Sequence, residues 1–244
     1  MFRHRGKGRT YSHNLKLASI LSCVAGIVNI TGVLKLNTLT TNVTGHFAFF
    51  SEEFVLKNYS LALTYLLYIL FFLLGAFTSS LSMEWSSKYR SQLSYVIPIL
   101  TEILLLFTIG ISDVLTQNQV SSPMILSFGL LFSMGLQNAL VTRISQSVVR
   151  TTHLTGLFTD LGIALSQLFF YKDRLEKQQL KRNIFLKLII ICCFFSGGIA
   201  GGFLYPYFEL KTLLFPVALL LFALWYDRLL LKYYALKRRL RGLH

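Results

Sequence analysis

Six stretches of this chain are each apolar enough, and nearly long enough, to cross a lipid bilayer, and that feature decides the fold class. A helical span needs roughly 20 mainly apolar residues. The stretches are Leu15–Leu36, Leu61–Ser82, Ser94–Ser112, Pro123–Val141, Ile184–Tyr205 and Thr212–Tyr226. Only 14% of the 244 residues are charged, and 54% are hydrophobic. Soluble domains carry about 25% charged residues, so a soluble fold of this length has too little polar surface to enclose so much apolar side chain. The sequence therefore predicts an all-α, polytopic transmembrane helix bundle. The first apolar run continues past a short leader's apolar core and has no small-residue cleavage pattern, so it reads as a span that directs insertion.

The net charge of +14 raises the question of nucleic acid. Its distribution argues for a membrane instead. Basic residues cluster at Arg3, Arg5, Lys7, Arg9 and Lys16, in the Lys172–Arg182 loop, and at Arg228, Lys232, Lys237, Arg238, Arg239 and Arg241. These clusters flank apolar runs, as the positive-inside bias requires, and face anionic headgroups. The expected partner is the lipid bilayer, with no nucleic acid. Cys23, Cys192 and Cys193 all lie within apolar runs and read as small buried hydrophobes.

Two shorter segments, Thr41–Leu56 and Thr151–Phe170, begin polar and turn apolar. With the N-terminus inside, six crossings bring Lys88, Arg90, Arg143, Arg150 and both basic termini to the cytoplasm. The segment Asp113–Ser122, which has no Lys or Arg, then lies outside. Eight crossings would reverse the Lys88 and Asp113–Ser122 loops. The expectation is six spans plus two re-entrant or broken helices, N-in and C-in, in the plasma (inner) membrane.

The two halves share a pattern. Gly26-Ile-Val-Asn29 is followed by Thr44-Gly45 after fifteen residues, and Gly135-Leu-Gln-Asn138 by Thr155-Gly156 after seventeen. Three spans per half is an odd number, so the second copy must be inverted: a 3+3 repeat over residues 1–121 and 122–244, forming one membrane domain. Inverted repeats with interrupted helices are a transporter architecture. Half-helix N-termini would aim unpaired N–H groups at the centre, which suits a carboxylate-bearing solute. Convergence is the competing explanation, because small residues also permit close helix packing.

The same residues resemble the YoaK family of small bacterial integral membrane proteins, defined by a domain of unknown function. The resemblance is carried by Ala25-Gly26-Ile-Val-Asn29, Asn42-Val-Thr44-Gly45-His46, Met134-Gly135-Leu-Gln-Asn138-Ala-Leu-Val-Thr-Arg143, and Arg150-Thr-Thr-His153-Leu-Thr155-Gly156-Leu-Phe-Thr-Asp160-Leu-Gly162. It covers about residues 13 to 230. It implies about six spans and a plasma-membrane location, and it brings no activity and no catalytic residues. His46 departs from the family pattern, where Asn follows the first Thr-Gly in many members.

Polar groups at membrane depth are costly, so each is a candidate. Asn29, Asn42, Thr44, Gly45, His46, Gln137, Asn138, His153, Thr155 and Gly156 are the candidate solute-binding residues. The Thr-Gly pairs are expected to form the helix breaks. Asn29 and Asn138 read equally as bonds locking the halves together, and the histidines as proton shuttles or interfacial groups. Glu102 and Asp160 are candidates for ion coupling, with an Arg150–Asp160 ion pair as the structural alternative. Glu52 and Glu53 read as solvated.

No metalloprotease, nucleophile-elbow, P-loop or Cys/His metal spacing is present. The expectation is no enzyme, no cofactor and no metal. The working reading is a small secondary transporter or permease with a small-molecule solute at the midplane and a second copy of the chain, in a homodimer, as a further partner. The alternatives are a non-transporting scaffold that binds lipid or a partner, and a membrane-embedded hydrolase built on a convergent acid or histidine cluster.

Overall fold

The computed structural model describes residues 2, 10–90, 94–115, 122–171 and 173–241, with side chains for all of these except 89, 90, 115, 228 and 230–241. Among the described residues every regular element is helical. The order is α1 (Tyr11–Leu36), α2 (Val43–Val55), α3 (Tyr59–Arg90), α4 (Val96–Gly110), α5 (Ser112–Leu115), α6 (Pro123–Ser145), α7 (Leu154–Gln167) and α8 (Arg174–Phe208). A 3-10 turn (Glu209–Leu213) then leads to α9 (Leu214–Arg241). Among the described residues four helical runs are long and apolar enough to cross a membrane: Tyr11–Leu36, Tyr59–Lys88, Pro123–Ser145 and the 54-residue run Arg174–Asp227. That last run is two helices, because Glu209 takes a left-handed φ of 47° and ends α8. The apolar helix Val96–Gly110 is shorter, at 15 residues.

Local chemistry sets the helix ends. His13 Nδ1 accepts the Thr10 N–H at 3.2 Å and bonds the Thr10 hydroxyl at 2.8 Å, closing the start of α1. Asn37 is left-handed (φ 50°), and Thr38 N–H donates back to the Gly32 carbonyl at 3.1 Å, a Schellman-type stop. Pro123 opens α6, where its missing N–H costs nothing. Gln146 and Ser147 are both left-handed and close it.

The most enclosed helices are α1 and α6. α8 lies along α1 and α3 along α6, while α4 packs on α6 and α9. Glycines make the two main crossings. A Cβ on Gly26 would strike the Phe194 carbonyl and Gly198 N, and one on Gly197 would strike Cys23. A Cβ on Gly135 would strike the Phe72 carbonyl and Ala76 N, and one on Gly75 would strike Phe132. In each helix the obstructing residue lies three positions before that helix's own glycine, so both crossings share one arrangement.

Polar ties hold the bundle's two ends. At one end Lys35 bridges Asp113 (3.2 Å) and Glu209 (2.8 Å), and Thr38 bonds Ser127 at 2.9 Å. The Lys35 ammonium holds the exposed Glu209 carboxyl below its ordinary range, chiefly through that hydrogen bond. At the other end Tyr95 OH donates to Asp227 at 2.6 Å, and Lys16 donates to Tyr226 OH at 3.0 Å. There Arg143 also joins Ser80 and Glu84.

Three expectations need correction. The basic 172–182 segment is not a loop: from Arg174 it is the start of α8, capped by Asp173, because its residues are good helix formers. The cysteines are not buried, since Cys192 is exposed and the other two are half-buried. Cys23 lies at the α1–α8 crossing, its backbone against Gly197. The Thr-Gly pairs are not the breaks themselves, because they stand inside the first turns of α2 and α7. The N-terminal arm (3–9) and Lys172 lie outside the described residues, as do the side chains of the basic tail.

Candidate functional site

After Leu36 the chain does not leave the bundle. It turns back along α1, and Thr41 Oγ1 donates to Asn29 Oδ1 at 3.0 Å, with Thr40 Oγ1 at 3.5 Å. Asn29 lies seven residues before the end of α1, about 10 Å along the axis. Gly32 leaves the space the returning chain occupies: its missing Cβ would stand 3.0 Å from the Thr38 carbonyl oxygen. From that depth α2 runs back out. Asn42 caps it, accepting the Gly45 N–H at 3.0 Å.

Helix α2 packs antiparallel on the first turns of α3. His46 meets Tyr68 edge-on at 5.2 Å, and Phe54 meets Tyr59 at 5.5 Å. His46 is buried, and its Nε2–H donates to the Leu39 carbonyl at 2.8 Å, pinning the return loop to the helix. Nδ1 has no partner among the described residues. Burial draws the imidazole below its ordinary range, opposed by the Leu39 bond.

The second half does the same from the opposite end of the bundle. After α6, Ser145 Oγ accepts the Val149 N–H at 3.0 Å and donates to its carbonyl at 3.2 Å, turning the chain. Thr151 then lies beside Gln137, whose Nε2 donates to Thr151 Oγ1 at 3.4 Å and to the Leu21 carbonyl of α1 at 2.8 Å. Gln137 is eight residues, about 12 Å, before the end of α6. Helix α7 leaves from there as a hairpin with α8, burying Leu161 and Ala164 against Leu180 and Ile184.

The two reversals meet α1 at Asn29 and Leu21. These points are eight residues, about 12 Å, apart, and the Gly26 crossing falls between them.

The Thr-Gly pairs occupy the first turns of α2 and α7, where Gly45 and Gly156 both stand at the third helical position. The left-handed residues Asn37, Gln146 and Ser147 make the breaks. The glycines have a different use: side chains there would collide with the capping residues Asn42 and His153. Thr44 and Thr155 are exposed, as is His153, which makes no side-chain cap bond.

Asn138 is half-buried and makes no side-chain hydrogen bond among the described residues. Asp160 is exposed, its carbonyl accepting Lys187 Nζ at 3.3 Å, and no ion pair joins it to Arg150 among the described residues. Glu52 and Glu53 are partly or fully exposed at the end of α2, Glu53 accepting from Asn58 at 2.8 Å. Glu102 is fully buried, and neither of its oxygens has a partner among the described residues.

The structure thus joins Asn29 to its return loop and Gln137 to the other, and among the described residues it does not join the histidines or the acids to each other. Sequence reasoning missed Thr40, Thr41, Thr151 and Thr152. The signal was present: Thr40-Thr-Asn-Val-Thr-Gly-His-Phe47 and Thr151-Thr-His-Leu-Thr-Gly-Leu-Phe158 match at five of eight positions. Among the described residues no three His, Cys, Asp or Glu converge as a metal site.

Comparison with curated proteins and with solved structures gives no match. A family model does match, over residues 17–226, and it includes the YoaK-type membrane proteins. The chain belongs to the family described as Protein of unknown function (DUF1275).

Proposed function

We propose that this protein is a small secondary transporter or permease, built as two inverted repeats of three spans and one re-entrant helix each, in the plasma membrane with both termini inside. The observation that carries the reading is the pair of chain reversals, each returning about 10 Å or more into the bundle from an opposite end. Irregular backbone at membrane depth persists where protein buries it or a wet cavity solvates it. Of the stretches 37–42 and 146–153, Thr40, Thr41 and Thr151 reach the depth of Asn29 and Gln137 in the two most enclosed helices. The solute would sit between the reversals, where Asn29, Thr41, Gln137, Asn138 and Thr151 supply hydrogen-bond donors and acceptors. Helices α2 and α7 start at that depth, so their N-termini favour an anionic group such as a carboxylate.

The matching glycine crossings and the repeated eight-residue string support the two-repeat reading. The polar ties support six spans: one end gathers the ends of α1, α4 and α8 with the start of α6, and the other gathers the starts of α1 and α4 with the end of α6 and the middle of α9.

A scaffold role has one observation in its favour. Asn29 is satisfied by its own return loop, and Gly26 and Gly135 serve packing, so part of the motif cements helices. Uptake of labelled organic acids into proteoliposomes separates the readings. Transport predicts saturable uptake that Asn138→Ala weakens while leaving the folded yield unchanged. Absence of uptake across the panel, with loss of stability in the variant, supports the scaffold.

A further inference from the structure

We infer that Glu102 is a proton-binding site inside the bundle, a carboxyl that takes up and releases a proton within the membrane. The residue occupies the buried stripe of α4, with Ile99, Leu106 and Ile109 on the same face. That stripe packs on α6 and α9, so the carboxyl points into the protein and not into lipid.

Other acids here have partners or solvent. Asp227 is equally buried, but it accepts from Tyr95 OH at 2.6 Å and from Phe2 N at 3.2 Å. Glu84, Asp113 and Glu209 face Arg143 or Lys35, and Asp160 is exposed. Glu102 alone among the described buried acids has both oxygens unpartnered.

An ionised carboxylate left so would be strongly unfavourable, so the residue stands here as a neutral acid. The core around it is not purely apolar. On α6, which packs against α4, Ser133 Oγ and Gln137 Oε1 are also buried without partners among the described residues. Buried polar atoms are almost always satisfied, by protein or by water. Unpartnered polar atoms on both α4 and α6 fit a site that water enters.

Glu102 also lies a short way into its helix. Helix α4 is about 22 Å long, shorter than a hydrocarbon core of about 30 Å, and Glu102 is six residues, about 9 Å, from its first residue. The titratable and charged groups on the packed elements gather mostly near the helix ends. Tyr95, Asp227, Tyr226, Glu84, Lys88 and Arg143 lie toward the start of α4, and Asp113, Glu209 and Lys211 toward its end; Tyr59, Tyr65 and Tyr68 line the early turns of α3. None of them bonds Glu102.

The inference deepens the transport reading by selecting Glu102 over Asp160 for coupling, yet it stands without any solute. The test uses full-length protein in liposomes, a lipid-soluble carbodiimide that reacts with protonated carboxyls, and peptide mass mapping across a pH series. The expected result is modification at Glu102 that falls more than tenfold as pH rises, together with an infrared protonated-carboxyl band that disappears in a folded Glu102→Gln variant. The inference is overturned if the band is absent at every pH. It is also overturned if labelling ignores pH, or if sodium at constant pH protects the residue, which would make this a metal-cation site. Uptake assays play no part, so failure of the transport reading leaves the outcome distinct.

Discussion

Replacing Gly135 with Ala tests the packing on which the whole arrangement rests, and Gly162 supplies the control. At Gly135 a methyl would lie 3.0 Å from Ala76 N and from the Phe72 carbonyl carbon, and closer still to the Phe72 oxygen. Ordinary contact begins near 3.4 Å. The obstacle is backbone, so α3 and α6 must separate by roughly 1 Å at their crossing to clear the Phe72 oxygen. Alanine gains roughly 1 kcal/mol over glycine in a helix interior, while overpacking a close contact costs roughly 1–3 kcal/mol. Losing contacts along two long helices puts the cost at the upper end, so net destabilisation of roughly 1–2 kcal/mol is expected. At Gly162 nothing stands within 4 Å, and the same change should stabilise α7 slightly. Equilibrium unfolding in mixed micelles reads both signs. Gly75→Ala opens the same crossing, so the double variant should cost less than the sum of the singles. A Gly135→Ala protein at least as stable as the parent would refute the packing argument.

Other expectations follow from single contacts. Asn42→Ala removes the cap on Gly45 N–H and should cost roughly 1 kcal/mol locally, read as faster hydrogen exchange in the first turn of α2 with global unfolding unchanged. His46 is held below its ordinary value of 6.5 by burial. The unfolded segment therefore binds the proton more readily, and stability present above about pH 6.5 is lost as pH falls through the folded value. Exchange in α2, corrected for intrinsic rate, should rise in acid, and His46→Gln should abolish that dependence. Arg143→Lys keeps the charge but loses the fork that spans Ser80 and Glu84; a loss of under about 1 kcal/mol, reduced by salt, is expected because Glu84 is largely exposed.

The helical runs were legible because a bilayer leaves the backbone little choice: Leu61–Ser82 and Pro123–Val141 announce themselves by length and apolarity. The two short helices were legible from their polar starts. Which residues reverse the chain was not, because Asn37, Gln146 and Ser147 are not glycines and the Thr-Gly pairs drew the expectation instead. The partner glycines Gly75 and Gly197 were equally silent, since a glycine shows its purpose only when another helix lies against it. Glu102 stood out as an acid in an apolar run. That it lacks a cation is a tertiary fact, fixed by which helices α4 packs on. The segment after Lys172 misled because basic composition reads as loop while its propensity favours helix.

The central claim is that α2 and α7 begin within the bundle and are reached from opposite faces of the membrane. Thr44 and Thr155 hold the same position in the two helices and are both exposed, so each is replaced by Cys in a chain whose Cys23, Cys192 and Cys193 are changed to Ala. A membrane-impermeant maleimide is then applied to right-side-out and to inverted vesicles. Labelling of position 44 only from outside and position 155 only from inside is the expected result. Labelling of both from one face would contradict the account.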